Sequence, residues 1–205
     1  MKTSSLKIRA IFTDIGGVLL TNGWDKNMRK QAAKIFQLNE EEMNSRHTMM
    51  ADLYEIGKIS LDDYLDAVVF FEERSFTKAQ FKKFMFDQSQ PYAEVIDFMK
   101  TFKAEHQLKM ISVNNEGREL MDYRIQTFKL YEFIDFFVTS SFVHLKKPDK
   151  DIFKLALDLI QLQPEEIIYI DDRLILVEVA QQMGMYGVHY TNRADLQKIL
   201  EELML

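Results

Sequence analysis

The chain has 205 residues, with 26 Lys and Arg against 32 Asp and Glu, a formal net charge of −6 and no Cys. A chain of this length forms one large domain or a domain with a modest insertion, and it can fold without disulfides or a structural metal. The absence of Cys excludes disulfides, thiolate nucleophiles and Cys-ligated metal sites, and the acidic balance argues against a nucleic-acid partner.

Short apolar runs alternate with helical patterns along most of the chain. Five runs predict β-strands: Ile8–Thr13, Leu108–Val113, Phe136–Thr139, Ile167–Ile170 and Gly187–Tyr190. Four helical patterns lie among them: Ala93–His106, Asp151–Leu162, Leu174–Met183 and Ala194–Leu203. Several strands are apolar throughout, which is typical of strands covered on both faces of a parallel sheet. The alternation predicts an α/β fold, a three-layer doubly wound parallel sheet of Rossmann-like type.

The segment from about residue 21 to residue 90 has helical patterns and no strand pattern. Asn39 and Ser60 have the character of helix N-caps, each followed by an acidic residue three positions later, and Thr77 could cap a further helix. We therefore predict a helical bundle at residues 21–90, inserted into an α/β core formed by residues 1–20 and 91–205.

Polar residues follow the carboxyl ends of the predicted strands, where ligands bind in open parallel sheets. They are Asp14, then Ser112 with Asn114 and Asn115, then Lys146 and Lys147, and finally Asp171 with Asp172. Clustered carboxylates need a counter-charge to stay ionised together, and Mg²⁺ takes carboxylate oxygens, waters and substrate phosphate as ligands. A Lys and a Ser would contact a phosphate, so the pattern indicates phosphoryl chemistry with a carboxylate available as nucleophile.

Several of these residues also have an ordinary structural interpretation. Ser112 could form a side-chain turn. One of Asp171 and Asp172 could cap the following helix, because Asp is a favoured N-cap. The residues alone do not decide which of Lys146 and Lys147 reaches the site and which is a solvated surface side chain.

The order Asp, Ser, Lys-Pro-Asp, Asp-Asp resembles the haloacid dehalogenase-like hydrolase superfamily over nearly the whole chain. Four motifs carry the resemblance: FTDIGGVLL at 12–20, MISVNN at 110–115, KKPDKDIF at 146–153 and IIYIDDRLILVEVAQQMGM at 167–185. The stretch YEIGKISLDDYL at 54–65 resembles the helical cap of the subgroup whose cap lies between the first and second motifs.

The resemblance implies a phosphatase-type hydrolase that acts on a small phosphorylated metabolite through an aspartyl-phosphate intermediate. In that interpretation Asp14 is the nucleophile, and Lys147, directly before the proline of the third motif, orients it and neutralises charge. Ser112, Asn114 and Asn115 would contact the phosphate. A cap would close over the substrate and exclude water.

The resemblance also implies a Mg²⁺ site. Its ligands would be Asp14, the backbone carbonyl of Gly16, Asp171 and Asp172, with one of the two residues Asp171 and Asp172 bound through water. The dehalogenase branch of the superfamily is disfavoured, because it needs no metal and lacks an acid pair such as Asp171 and Asp172.

Gly16 departs from the pattern, because most phosphatases of this superfamily have an acid/base Asp two residues after the nucleophile. Positioned acid–base catalysis contributes about 10²–10⁴-fold to rate. The protein could still be a hydrolase that uses water or a cap residue, could act weakly on esters with good leaving groups, or could bind a phosphorylated ligand without catalysis. The presence of Asp14, Lys147, Asp171 and Asp172 favours the first two possibilities over the last.

The N-terminal region predicts neither export nor membrane insertion. No stretch approaches the ~20 apolar residues of a membrane span. The apolar run from Ala10 to Phe12 is broken by Thr13 and Asp14, whereas a signal peptide needs about 7–15 uninterrupted apolar residues. We expect a cytoplasmic protein with no membrane partner, and the sequence leaves its oligomeric state open.

Overall fold

The computed structural model describes residues 8–204, and its centre is a five-stranded parallel sheet. The strands are Ala10–Thr13 (β1), Lys109–Asn114 (β2), Phe136–Thr139 (β3), Ile167–Asp171 (β4) and Tyr186–His189 (β5). Their order across the sheet is β3-β2-β1-β4-β5, and all the pairings are parallel. The chain therefore winds outward in both directions from β1, which places the topological switch point beside this strand.

Helices connect the strands and fill the segment between β1 and β2. They are Lys26–Ile35 (α1), Glu40–Glu55 (α2), Leu61–Val68 (α3), Lys78–Asp87 (α4), Ala93–His106 (α5), Arg118–Thr127 (α6), Ser140–Val143 (α7), Lys150–Ile160 (α8), Leu174–Gln182 (α9) and Arg193–Leu203 (α10). Among residues 8–204, no helix combines the length and apolar composition that crossing a membrane requires.

The sheet is covered on both faces because its strands are apolar on both sides. Ile11 of β1 and Met110 of β2 pack in a cluster with α5, α6 and α10. Phe12 and Ile111, the next residue along each strand, pack on the opposite face with α8 and α9. Successive side chains of a strand point to opposite faces, so this alternation confirms the predicted three-layer α/β architecture.

Helices α1–α4 pack around a hydrophobic cluster of their own, which includes Tyr64 and Phe81. The side chains of Asn39, Ser60 and Thr77 each accept a hydrogen bond from the backbone N–H three residues on, at the starts of α2, α3 and α4. Such caps satisfy backbone donors that the helix leaves unpaired. The predicted helical insertion is therefore present, while its division from the core at residues 20 and 90 stays a prediction.

The insertion contacts the carboxyl edge of the sheet through the end of α2. Lys146 Nζ lies 2.6 Å from Asp52 Oδ1 and 2.9 Å from Glu55 Oε2. The Ser140 hydroxyl donates a 2.6 Å hydrogen bond to the carbonyl of Glu55. Lys146 is thus bound to the insertion through ion pairs and does not point toward the strand-end carboxylates.

Candidate active site

Three carboxylates meet at the carboxyl ends of the neighbouring strands β1 and β4. Asp14 directly follows β1, and its backbone N–H donates to the carbonyl of Ile170, which extends the strand pairing by one residue. Asp171 ends β4 and Asp172 follows it. One oxygen of each of the three carboxylates lies within 4.8 Å of the other two. The N-cap residue of α9 is Arg173, whose side chain makes no cap hydrogen bond, so neither Asp171 nor Asp172 is the N-cap of this helix.

Lys147 is the cation of this cluster, and its side chain is only 1% exposed. Its Nζ lies 2.7 Å from Asp171 Oδ2 and 3.3 Å from Asp14 Oδ1. Tyr169 donates its hydroxyl proton to the same Asp171 oxygen. Of the two adjacent lysines, the structure therefore brings Lys147 to the carboxylates and sends Lys146 to the insertion.

The side chain of Asn115 forms two hydrogen bonds with the backbone of Lys147. The Lys147 backbone N–H donates to Asn115 Oδ1 at 2.8 Å, and Asn115 Nδ2 donates to the Lys147 carbonyl at 2.8 Å. The neighbouring Asn114 accepts a 3.1 Å bond from Thr139 Oγ1. Both asparagines line the cavity at the site, but their amides are bonded within the protein, so their phosphate contacts stay predictions.

Ser112 is placed differently from the expectation. Its hydroxyl is buried and has no hydrogen-bond partner among residues 8–204. Ser112 is also not among the residues that line the cavity. Ile111 and Val113 pack on the α8 and α9 face of the sheet, so strand alternation puts Ser112 on the other face, with Met110. The structure does not bring the Ser112 hydroxyl to the cavity.

The carboxylates repel one another where they meet. Burial raises the pKa of Asp14 to about 6, Lys147 opposes the rise, and Asp171 and Asp172 add to it. Burial and the charge of Asp171 also raise the pKa of Asp172. The Oδ1 atom of Asp172 is buried and has no hydrogen-bond partner in the part of the chain that the structure describes. A hard divalent cation would relieve this repulsion and bind to Oδ1 of Asp172, so the residues fit a Mg²⁺ ion.

Gly17 makes room for Asp172, and this gives a prediction about cation binding. Its φ is +78°, and a Cβ there would lie 2.2 Å from Asp172 Oδ2. We expect Gly17→Ala to displace that carboxylate and weaken Mg²⁺ binding by about 10–100-fold, as losses of supporting contacts at metal sites do. Titration calorimetry with Mg²⁺ measures the change.

Gly16→Ala is the matched control for Gly17→Ala. A Cβ at Gly16 meets the flexible side chain of Asn22 at 3.0 Å and keeps the backbone carbonyl that would bind the metal. We expect Gly16→Ala to bind Mg²⁺ within a few-fold of the wild type. Equal Mg²⁺ affinity for Gly17→Ala and the wild type would contradict the placement of Asp172 at the cation.

Asp14 lines a cavity of about 100 Å³ to which both parts of the chain contribute. The core contributes Asp14, Gly16, Lys147, Glu116 and Arg124. The insertion contributes aromatic and polar side chains, which include Trp24, His47, Tyr54 and Tyr64. A polar site is thus closed on one side by an aromatic wall.

A hydrogen-bond chain orders this aromatic wall. Trp24 Nε1–H donates to the Tyr64 hydroxyl at 2.8 Å, and the hydroxyl lies 2.7 Å from His47 Nδ1. Because indole is only a donor, the Tyr64 oxygen accepts from Trp24, and the same hydroxyl forms a second hydrogen bond with His47 Nδ1. Burial and Arg29 lower the pKa of His47 to about 4, so the ring is neutral at pH 7.

The lowered pKa of His47 predicts that the free energy of unfolding decreases in mild acid. Its folded pKa of about 4 lies below the ordinary value of 6.5. Its contribution to stability is therefore complete above about pH 6.5 and is lost as pH falls toward 4. We expect His47→Gln to reduce the fall in unfolding free energy between pH 7.5 and pH 4.5 by about 1–2 kcal/mol, with allowance for solvent screening. Urea unfolding at the two pH values measures this, and an identical fall in both proteins would contradict it.

Sequence patterns did not single out three residues that line the cavity: His47, Glu116 and Arg124. His47 lies one helical turn before Ala51 and two turns before Tyr54 on α2, and all three line the cavity. That spacing is the periodic signal that could have identified a helix face turned toward the site. The positions of Glu116 and Arg124 depend on contacts distant in sequence, which no local pattern reports.

Comparison with known proteins places the chain in a family. The sequence profile described as haloacid dehalogenase-like hydrolase matches residues 8–184. The chain belongs to this family. Among curated proteins, bifunctional epoxide hydrolase 2 of Rattus norvegicus is 29% identical over 75 residues, or 37% of this chain. The match spans only 14% of that protein's length.

Solved structures of the family share the fold. The family enzyme bt-2542 from Bacteroides thetaiotaomicron superimposes with a TM-score of 0.76 and 22% identity over 92% of this chain and 95% of its own. The same enzyme has been crystallised with magnesium and inorganic phosphate, and that structure has a TM-score of 0.73, 21% identity and coverage of 91% and 95%. A phosphatase of the family from Thermococcus onnurineus has a TM-score of 0.65 and 18% identity, and 94% of this chain and 98% of that chain are covered. Dehalogenases also share the fold, with TM-scores of 0.63 and 0.61.

Proposed function

We propose that this hydrolase is a Mg²⁺-dependent phosphatase that cleaves a small phosphorylated metabolite through an aspartyl-phosphate on Asp14. The observation that carries the proposal is the position of Asp14 between a buried Lys147 and the acid pair Asp171 and Asp172, at the edge of a cavity. A carboxylate held by a lysine beside a cation site is equipped to attack a phosphoryl group. The structures of bt-2542 with magnesium and phosphate support a phosphate ligand in this fold.

The residues divide the chemistry among them. An oxygen of Asp14 attacks phosphorus, and Lys147 holds that carboxylate in place and offsets the charge of the phosphate. Asp14, the carbonyl of Gly16, Asp171 and Asp172 would hold Mg²⁺. The ion, when bound, neutralises the charge on the phosphate oxygens.

We further propose that residues 21–90 act as a cap over this site. The cavity of about 100 Å³ suits a small ligand, and one wall comes from Trp24, His47 and Tyr54 of the insertion. Closure of such a wall excludes water from the reacting phosphate. Under this proposal, the insertion selects the substrate and the core performs the chemistry.

Two other activities compete with this one. Dehalogenases share the fold, but a halide-displacing enzyme has no need of three clustered carboxylates, one with a buried unpaired oxygen. Gly16 favours a second candidate, a protein that binds a phosphorylated ligand without cleaving it. The intact Asp14–Lys147 pair favours catalysis over binding alone.

The test is an assay of the purified protein against a panel of phosphomonoesters and 2-haloacids, with Mg²⁺ and with chelator. We expect release of inorganic phosphate that requires Mg²⁺, with no release of halide. Halide release, or phosphoester binding without turnover across the panel, would overturn the proposal.

A further inference from the structure

The side chains of Asn22 and Arg124 border the space beside Gly16. A Cβ built on Gly16 would lie 3.6 Å from Arg124 Nη1 and 3.0 Å from Asn22 Oδ1. A side chain at this position would therefore point toward a guanidinium group. In this chain, a side chain of α6 borders the region where related phosphatases place an acid/base side chain.

Arg124 is fixed in this place and is only 1% exposed. Its Nε donates to Ser89 Oγ at 3.0 Å and its Nη2 donates to the Thr21 carbonyl at 3.1 Å. A Cβ on Gly23 would lie 2.1 Å from Nη2, so a residue without a side chain is needed there. The third nitrogen, Nη1, lies 2.8 Å from Glu116 Oε2.

Glu116 completes the arrangement from the loop that follows β2. It lines the same cavity as Asp14 and Gly16, with a side chain 15% exposed. Burial raises the pKa of Glu116 and Arg124 opposes the rise. Arg124 thus holds the carboxyl group of Glu116 near Gly16, which has no side chain of its own.

We propose that Glu116, positioned by Arg124, performs the proton transfers that an acid at position 16 performs in related phosphatases. This inference rests on the proposed phosphatase function. Three features of the geometry support it: the cavity shared with Asp14, the 2.8 Å distance between Glu116 Oε2 and Arg124 Nη1, and the guanidinium beside Gly16.

In this scheme, a proton transfer accompanies each bond change at phosphorus. An Asp14 oxygen forms a bond to phosphorus while the bond from phosphorus to the leaving oxygen breaks. Protonated Glu116 gives its proton to that oxygen, so an alcohol leaves and the Glu116 carboxylate pairs with Arg124. Glu116 then takes a proton from water, the water oxygen bonds to phosphorus, and the bond to Asp14 breaks. Inorganic phosphate leaves, and both side chains regain their starting states.

Dependence on the leaving group tests the inference. An alkyl phosphate needs a proton on its leaving oxygen, whereas p-nitrophenyl phosphate has a leaving group stable as an anion. We expect Glu116→Gln to lower kcat on the alkyl phosphate by about 10²–10⁴-fold and on p-nitrophenyl phosphate by less than about 10-fold. Glu105→Gln, at an exposed position on α5, should leave both rates unchanged.

A second variant separates a catalytic role from a structural one. Gly16 lacks a left-handed φ, and the nearest obstacle to a side chain is the flexible Asn22, so Gly16→Asp can place a carboxyl beside Arg124. We expect Gly16→Asp in the Glu116→Gln background to restore at least part of the alkyl phosphatase activity. Glu116→Asp keeps the charge but shortens the side chain, and it replaces Glu116→Gln in the test if Glu116→Gln folds poorly. We expect Glu116→Asp also to lose more activity on the alkyl phosphate than on p-nitrophenyl phosphate.

The outcomes distinguish the inference from the proposed function. Equal losses on both substrates, without rescue by Gly16→Asp, would overturn the role of Glu116 and leave a phosphatase with Asp14 as nucleophile. A wild-type protein that releases phosphate from neither substrate would overturn the phosphatase proposal and the inference with it. A loss confined to the alkyl phosphate, with rescue, would establish Glu116 as the acid and base.

Discussion

Replacing Asp14 with Asn should lower Mg²⁺-dependent phosphate release by about 10⁴-fold or more, because it removes the proposed nucleophile. The loss should not reflect unfolding. Burial raises the pKa of Asp14 to about 6, so the ionised carboxylate disfavours the metal-free fold at pH 7.5, and a neutral amide should leave that fold at least as stable. Kinetic assay and urea unfolding of the same preparation measure both effects.

Asp151→Asn is the matched control for Asp14→Asn. Asp151 is an exposed carboxylate on α8 that pairs with Lys154 at the surface, and such pairs contribute little to stability. We expect this variant to keep wild-type activity and stability. An Asp14→Asn protein that still turns over at a tenth of the wild-type rate would contradict a covalent role for Asp14.

The second large effect is expected at Lys147. Lys147→Met removes the cationic side chain that contacts both Asp14 and Asp171. Removal of one partner from a buried ion pair costs about 3–5 kcal/mol of stability. Loss of a fixed charge that stabilises the transition state costs about 10²–10³-fold in kcat. The stability loss should shrink below about pH 6, because Asp14 takes up a proton there.

Lys146→Met provides a comparison at the adjacent residue. Lys146 pairs with Asp52 and Glu55 of the insertion, with side chains 29%, 78% and 35% exposed. Pairs this exposed contribute about 1 kcal/mol or less, so we expect a small loss of stability and no loss of the chemical step. Urea unfolding at pH 7.5 and pH 5.5 and kinetic assays of the two variants make the comparison. Equal effects of the two substitutions would contradict the assignment of Lys147 to the site.

Local patterns in the sequence were enough for much of the fold. Apolar runs such as the one ending at Thr13 predicted all five strands, because both faces of a parallel sheet are buried. The helix starts at Asn39, Ser60 and Thr77 were predictable, because each cap depends on residues three positions apart. The meeting of Asp14 with Asp171 followed from the rule that strand ends share one edge of a parallel sheet.

The detailed arrangement of the site depends on strand register and on contacts between residues distant in sequence, which local sequence patterns do not show. Ser112 lies one residue before the end of β2, and in a strand a shift of one position turns a side chain to the opposite face. The bonds of Asn115 to the backbone of Lys147 join residues far apart in the chain. The pairing of Arg124 with Glu116 beside Gly16 also requires the folded insertion, which supplies Thr21 and Ser89 as partners.

The most direct test of the account is chemical trapping of the phosphorylated enzyme. The protein is mixed with Mg²⁺ and a phosphomonoester that it cleaves, treated with borohydride to reduce the acyl phosphate to an alcohol, and mapped by peptide mass spectrometry. We predict that position 14 is converted from Asp to homoserine, only when substrate is present and not in Asp14→Asn. Reduction at another carboxylate, or steady turnover with an intermediate trapped at no residue, would contradict Asp14 as the nucleophile.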